Sequence, residues 1–264
     1  MKDMVSGRDF LSQPGRISLV GAGPGAADLL TLRALERIRA ADVVFYDRLV
    51  DAEVLALIPE RTEMVNVGKE VGRNEWPQAR IERVIVQEAL KGRRVVRLKS
   101  GDPSIFGRAK EEIEAAERHG IEVEIVPGIT AASAAAASAL QPLTERGQFE
   151  RLEILTGTAL TGAMPEDIAR GLRPGTRLAI YMGVHTAGPL AEALMAAGVR
   201  ADAPVLIAER VATRRERRVQ CTLGQLVATI LLEGIENPAL ILVDHCKVAV
   251  AQPVGVSHFA AVGD

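Results

Sequence analysis

Five short apolar runs, each followed by a stretch with helical spacing, constrain this chain more than any other feature. They fall at 16–21 (RISLVG), 42–46 (DVVFY), 62–67, 94–98 and 122–126. Strands covered by helices on both faces read as continuous apolar runs rather than as alternating ones. Strand–helix alternation in turn specifies a parallel sheet. The spacing of Leu29, Leu32, Leu35 and Ile38 predicts a helix with Asp28 placed to cap it, and a longer helix is expected over 78–90. A third helix follows Arg108, carries Glu111, Glu112 and Glu114, and stops at Gly120.

The pattern breaks at 141–147 (QPLTERG), after a run of Ala and Ser over 131–139 that Thr130 could cap. The expected organisation is a loose tail over 1–14, a first α/β domain over 15–130 and a second over 131–264. In the second domain, strands are expected near 152–156, 177–182, 204–211, 219–222 and 239–243, with helices near 165–171, 186–197 and 223–232. A hairpin between the 205–211 run and Val219 would make that sheet mixed. A length of 264 residues suits two domains. With aromatics at 3%, their cores must be built from Ala, Val, Leu and Ile. No apolar run approaches the ~18 residues of a membrane span, and the N-terminus has no targeting character.

Ligands of open α/β sheets collect beyond the carboxyl ends of the strands, so residues at those ends are the candidates. The stretch 99–108 (KSGDPSIFGR) crowds Gly, Asp, Phe and Arg into one turn and reads as the floor of an active site. The turn 21–26 (GAGPGA) has the spacing of a degenerate dinucleotide fingerprint. It reads as an anion cradle or as a plain tight turn, and Pro24 removes one N–H from any cradle. Asp47 and Lys69 stand at neighbouring strand ends, as an acid–amine pair for proton transfer or as a surface ion pair. Arg108 at a helix start opposes the positive end of the dipole unless an anion docks beside it.

The basic run 208–218 (AERVATRRERR) is either a solvated loop or a rim for a polyanion. A net charge of −2 and the lack of an RNA-binding motif count against a nucleic-acid binder. The four histidines lack zinc spacing, and Cys221 and Cys246 read as reduced thiols.

In order, VGAGPG, YDRLV, VGK, KSGDPSIFGR, VPGIT, PLTERG and IYMG resemble the motifs of the tetrapyrrole (corrin/porphyrin) methyltransferases, over about residues 16 to 250. YDRLV and VGK together with GDPxxFGR resemble the members acting on uroporphyrinogen III more than the later corrin-ring methylases. The resemblance implies the class III methyltransferase fold: two α/β domains, a parallel sheet in the first and a mixed sheet in the second. It also implies S-adenosylmethionine held in the cleft between the domains without a metal, a cytoplasmic homodimer, and neither nucleic acid nor membrane as partner. The reaction implied is C-methylation of uroporphyrinogen III at C2 and C7, giving precorrin-2 by way of precorrin-1. The alternative is a later precorrin or cobalt-precorrin methylation.

By the same resemblance the methyl donor would be held by Pro24, Ser100, Gly101, Asp102, Ile105, Thr130, Ala131, Met182 and Ala212. Asp47 would be the proton acceptor and Lys69 the donor, with Arg108 a further candidate base. Arg48, Arg108, Glu111 and Arg146 would face the tetrapyrrole. Four places depart from the family pattern: Ser100 for a Gly, Ala109-Lys110 for a Gly pair, Thr158 for a His, and Val211-Ala212 for Gly-Thr. No dehydrogenase/chelatase module is expected ahead of the domain.

Overall fold

The computed structural model describes residues 15–68, 76–247 and 257–259. The chain divides into two compact units: residues 1–23 with 27–128, and residues 24–26 with 129–264. The tail expected over 1–14 lies outside the described residues.

The first unit is a five-stranded, wholly parallel sheet. Its strands are β1 (Arg16–Gly21), β2 (Val43–Tyr46), β3 (Glu63–Asn66), β4 (Val95–Lys99) and β5 (Glu122–Val126), in the order β3-β2-β4-β1-β5. The helices are α1 (Leu32–Ala40), α2 (Ala52–Leu55), α3 (Gln78–Leu90) and α4 (Ala109–Glu117). Side chains alternate across the sheet, so each strand feeds two cores. Ile17, Leu19, Phe45 and Val95 pack with Ile81, Ile85 and Ala89 of α3 and with Ala115 and Ala116 of α4. Val20, Val44, Val96 and Leu98 pack with Ala34 and Ile38 of α1 and Val54 of α2.

Helix α1, which follows β1, and helix α4, which follows β4, cover opposite faces of the sheet, so the exits of these two neighbouring strands part to either side of it. That divergence opens a crevice at their carboxyl ends, the place where such sheets bind ligands.

The first helix departs from the expected one. Asp28 lies exposed in a 3-10 turn (Ala27–Leu29), and the cap is Thr31, whose Oγ1 accepts a bond from Ala34 N at 3.1 Å. Leu32 is 81% exposed, so the buried stripe is the shorter one made by Ala34 and Ile38.

At the opposite edge, Asp42 joins the starts of β2 and β4. It accepts bonds from Arg94 N (2.8 Å), Nε (3.0 Å) and Nη2 (2.7 Å). The Arg94 side chain, with help from Arg93, lowers the Asp42 carboxyl to about 2. A depressed acid stabilises the fold above its unfolded value, and that contribution is lost as pH falls through the folded one. Asp42→Asn should therefore lower Tm at neutral pH. The gap to the parent should close between about pH 4 and about pH 2, as followed by thermal melts in that window.

The second unit carries a six-stranded mixed sheet. Helix α5 (Ala131–Ser138) precedes β6 (Arg151–Thr156), β7 (Thr176–Tyr181), α6 (Ala187–Ala196), β8 (Pro204–Glu209), β9 (Arg217–Thr222), α7 (Leu226–Glu233), β10 (Ala239–His245) and β11 (Ser257–Phe259). The strand order is β11-β9-β8-β10-β7-β6; β6 and β7 are parallel and the other pairs antiparallel, including the β8–β9 hairpin. The alanines of α5 (Ala132, Ala134, Ala135) lie against Ala179, Leu206, Ala208, Leu240 and Leu242, a helix with no bulk brought close to a sheet. Helices α6 and α7 cover the other face through Leu190, Leu194, Leu226 and Ile230.

The helix expected over 165–171 is absent. Only i→i+3 bonds form there, Ile168 N to Pro165 O and Arg170 N to Asp167 O, before Gly171 turns left-handed at φ 76°. Five residues between a proline and a glycine are too few to repay helix nucleation. Among the described residues no helix is long and apolar enough to cross a membrane.

Candidate active site

In the first unit the carboxyl ends of β1, β4 and β5 meet as bare backbone. Ala22 N donates to Lys99 O (2.7 Å), and Gly23 and Gly101 exchange both bonds, N to O at 3.2 and 2.7 Å. A Cβ on Gly128 would stand 2.2 Å from Gly101 O, and one on Gly21 would stand 2.6 Å from Gly128 Cα. Both contacts are with main chain, so only glycine lets the three ends close. Gly101 itself (φ 70°) has nothing within 4 Å of where its Cβ would sit, so its open side can take a ligand against the backbone.

These bonds overturn the anion-cradle reading of the 21–26 turn. The amides of Ala22 and Gly23 are spent on Lys99 O and Gly101 O, and that of Ala26 on Ala212 O (2.6 Å). Helix α1 begins only at Leu32, so its N-terminus is not at the turn. What remains is a tight turn.

Asp102 braces the crowded turn. Its Oδ1 accepts from Ser104 N (2.7 Å) and from the Ser104 hydroxyl, and its Oδ2 accepts from Gly128 N (3.0 Å). Ile105 N returns to Asp102 O (3.1 Å). Phe106 and Arg108 are then left-handed, at φ 53° and 54°. Arg108 stands at the start of α4, half-exposed, and its Nε donates to Glu111 Oε1 at 2.9 Å. The counter-ion to the oddly placed arginine is thus one turn along its own helix. The Glu111 carboxyl is held below its ordinary range by its own backbone N–H and by Arg108.

Asp47 follows β2 directly, and its Oδ1 accepts from Arg97 Nη2 at 2.6 Å. Behind that pair lie Lys99 and Glu112, and neither they nor Arg97 is exposed beyond 4%. Burial, with Arg97 alongside, pushes the Lys99 ammonium below its ordinary range, against the pull of Glu112. Sequence reasoning passed over Arg97, Lys99 and Glu112, and ended the strand at Leu98. The available signal was two cations at i, i+2 in an otherwise apolar strand, which places both on one buried face. Arg48 is exposed beside Gly68, while Lys69 and Arg73 lie outside the described residues.

In the second unit Thr130 occupies the cap position of α5 but makes no capping bond. Its hydroxyl pairs with Tyr181 Oη at 2.5 Å, and Ala132 N donates to the same Tyr181 oxygen at 3.0 Å, so the tyrosine does the capping. This fixes the start of α5 at the tip of the Tyr181 ring; Met182, the next residue along the chain from Tyr181, is left-handed (φ 56°) and half-exposed. Thr158, the residue that replaces the family's histidine, donates its hydroxyl to Met182 O at 2.7 Å. Ala212, also left-handed (φ 56°), accepts from Ala26 N and donates to Glu216 Oε2 at 2.7 Å. A Cβ on Gly25 would meet Ala212 O at 2.4 Å, so Pro24–Ala26 lies directly along that turn.

Arg146 is exposed in a turn closed by the Glu145–Phe149 bridge. The clamp beneath is Arg177, which binds both oxygens of Asp244 (2.6 and 2.8 Å), donates to Pro142 O and stacks on Phe149 at 4.2 Å. The basic run proves largely self-neutralised. Arg210 pairs with Glu209 and Glu236, Arg217 with Glu209, and Arg218 with Glu216. These pairs buttress the hairpin end, while Arg214 and Arg215 at its tip are exposed.

Among the described residues, six non-glycine positions have left-handed backbone: Phe106, Arg108, Leu140, Met182, Arg210 and Ala212. Such conformations cost about 1–3 kcal/mol and gather at functional sites. Three of the six, Arg108, Met182 and Ala212, are residues selected from the sequence. Among the described residues no His/Cys/Asp/Glu cluster could hold a metal ion.

The family model of the tetrapyrrole (corrin/porphyrin) methylases matches residues 16–227. The uroporphyrinogen-III C-methyltransferase of Paracoccus denitrificans is 45% identical over 232 residues, 88% of this chain and 81% of that protein. The siroheme synthase of Chromobacterium violaceum is 44% identical over 87% of this chain, which spans only 49% of that longer protein. A solved structure of uroporphyrin-III C-methyltransferase from Thermus thermophilus, complexed with S-adenosyl homocysteine, superposes with a TM-score of 0.73 at 38% identity. It covers 87% of this chain and 97% of that one.

Proposed function

The chain belongs to the tetrapyrrole (corrin/porphyrin) methylase family, and from that membership we propose that it methylates uroporphyrinogen III from S-adenosylmethionine. The reading rests above all on the 45% identity to a uroporphyrinogen-III C-methyltransferase over most of both chains. We assign the two methylations to C2 and C7, leading through precorrin-1 to precorrin-2. A cytoplasmic homodimer is part of the same proposal, taken from the resemblance.

The residues fit such a donor: the open side of Gly101 admits a ligand to the backbone, and Met182 stands half-exposed on a left-handed turn. S-adenosylmethionine, when bound, supplies an electrophilic methyl group on a positively charged sulfur. By the resemblance, the residues that would hold it are Pro24, Ser100, Gly101, Asp102, Ile105, Thr130, Ala131, Met182 and Ala212. Asp102 would act mainly through its backbone, since its carboxylate is engaged within the turn.

A pyrrole carbon made electron-rich by its nitrogen forms the new C–C bond as the C–S bond breaks, and the ring system then loses a proton. The protein's largest contribution is alignment, worth up to ~7–11 kcal/mol in favourable cases. Arginine forks bind carboxylates in pairs, so Arg48, Arg108 and Arg146 suit a substrate bearing eight of them. A guanidinium keeps its proton at any working pH, which leaves Asp47, at Oδ2, as the acceptor. The one proton that each methylation releases would pass from Asp47 to solvent, a relay in which the resemblance makes Lys69 the donor.

The test combines binding with turnover. S-adenosylhomocysteine at ~100 times its Kd should stabilise the fold by about 2.7 kcal/mol, a rise of roughly 5–10 °C in Tm, whereas NAD should leave Tm unchanged. Purified protein given uroporphyrinogen III and methyl-labelled donor should incorporate two labels per substrate. Labelling of a later precorrin alone would move the chain to the corrin-ring methylases.

A further inference from the structure

Beneath the candidate site of the first unit lies a cluster of charges that the assignments above leave without a task. Glu112 is completely buried in the first turn of α4, and three donors converge on it. Gln78 Nε2 reaches Oε1 at 3.2 Å, Arg97 Nε reaches it at 3.3 Å, and Lys99 Nζ lies 2.9 Å from both carboxylate oxygens. The Arg97 guanidinium is fastened on its other edges as well. Its Nη1 donates to Leu98 O at 3.0 Å and lies 3.5 Å from Phe45 O, and its Nη2 donates to Asp47 Oδ1 at 2.6 Å. Lys99 spends a further proton on Gly107 O (2.7 Å), immediately before Arg108.

Such a cluster is a poor means of stabilising a fold. Each ion brought out of water costs several kcal/mol, and well-packed apolar side chains of similar size often do as well or better. The strands around Arg97 are built of such side chains: Val43, Phe45 and Val95 share its face. What apolar residues could not supply is orientation. A guanidinium held by a carboxylate at Nε and by carbonyls at Nη1 has one direction left for Nη2, and that direction is Asp47. Of the four charged members, Asp47 alone reaches solvent, with 33% of its side chain exposed against 3% for Arg97, 5% for Lys99 and none for Glu112.

We propose that Glu112 is a positioning residue: through Arg97 it holds the Asp47 carboxylate in the orientation in which that group takes the substrate's proton. Lys99 balances the second buried charge and ties the same anchor to the carbonyl before Arg108. The role rests on the assignment of Asp47 as proton acceptor, and it makes Glu112 act on the reaction without touching substrate or donor.

A double-mutant cycle tests it. Glu112→Gln keeps the shape of the side chain and removes its charge. In otherwise unchanged protein it should lower kcat about tenfold or more, the scale of a small misplacement of a reacting group, with S-adenosylhomocysteine affinity unaltered. In an Asp47→Asn background the same substitution should change kcat by less than about twofold, because the group it acts through is already gone. Falls of equal size in the two backgrounds, or no fall in the parent, overturn the proposal. If Glu112→Gln does not fold, Arg97→Lys goes through the same cycle with the same criteria; it keeps a buried cation but loses the fork that joins Glu112 to Asp47. The underlying assignment fails separately, by Asp47→Asn turning over as fast as the parent. A slow Asp47→Asn, combined with a Glu112 effect independent of it, condemns only the positioning role.

Discussion

Arg108→Ala should turn over uroporphyrinogen III ~10²–10³-fold more slowly than the parent chain, the usual loss when one charged donor is removed from a transition state. Its binding of S-adenosylhomocysteine should be unchanged. The separation follows from where the side chain is. The Arg108 side chain is 54% exposed, and among the described residues its ion-pair partner is the half-exposed Glu111. Its left-handed backbone costs an alanine no more than it costs the arginine, so the fold should survive. Arg108→Lys should recover part of the rate, because charge returns without the two-pronged geometry. Steady-state kinetics beside calorimetric titration with S-adenosylhomocysteine checks both halves. A variant that loses the homocysteine compound would place Arg108 on the donor side and refute the assignment.

Gly128→Ala should do the reverse and abolish donor binding together with a large part of the stability. The added methyl would lie 2.2 Å from Gly101 O and 2.9 Å from Gly21 Cα, both main-chain atoms that no rotamer change can move. The ends of β5, β4 and β1 must part, and Gly128 N then draws away from Asp102 Oδ2. Overpacking of this kind costs ~1–3 kcal/mol, and a shift of ~1 Å at reacting groups can cost ~10²-fold in rate. Tm should therefore drop, and the stabilisation by S-adenosylhomocysteine should vanish. Gly120→Ala is the control: that glycine follows α4, and nothing stands within 4 Å of its would-be Cβ. It should lose only the ~1–2 kcal/mol of left-handed strain and still respond to the ligand.

The parts of the molecule that follow from periodicity were legible in the chain. Helix α3 occupies the expected 78–90, and the apolar runs at 16–21 and 122–126 became strands with the same bounds. The mixed second sheet followed from the hairpin between β8 and β9. Errors arose where one local signal competed with another. Asp28 has the chemistry of a cap, yet Thr31 takes the position because the turn after Gly23 consumes three more residues before the helix. Thr130 stands where a cap belongs and is drawn away by Tyr181, some fifty residues on, a partner that no local pattern announces. Of the candidate site, the motif-bearing residues came from the resemblance, and three of them, Arg108, Met182 and Ala212, are conformationally unusual as well. Arg97, Lys99 and Glu112 were passed over, despite the two cations on one face of an apolar strand, because charged residues are ordinarily at the surface. Only the pairing of β4 with α4 makes these three each other's solvent.

The three residues Pro24–Ala26 lie within the first tenth of the chain but belong to the second unit, where Ala26 N bonds to Ala212 O. In the order of synthesis they emerge well before the partner they bind, Ala212. The second unit is thus not encoded as one continuous stretch. A fragment beginning at residue 129 would lack the strand of chain that lies along the Ala212 turn, whereas a fragment ending at 128 would carry that strand with nothing to bind. Dividing the gene at the apparent boundary would cut through a unit it was meant to isolate. A circular permutant that opens the chain elsewhere, keeping Gly23, Pro24 and Ala27 contiguous with their neighbours, would leave both units whole.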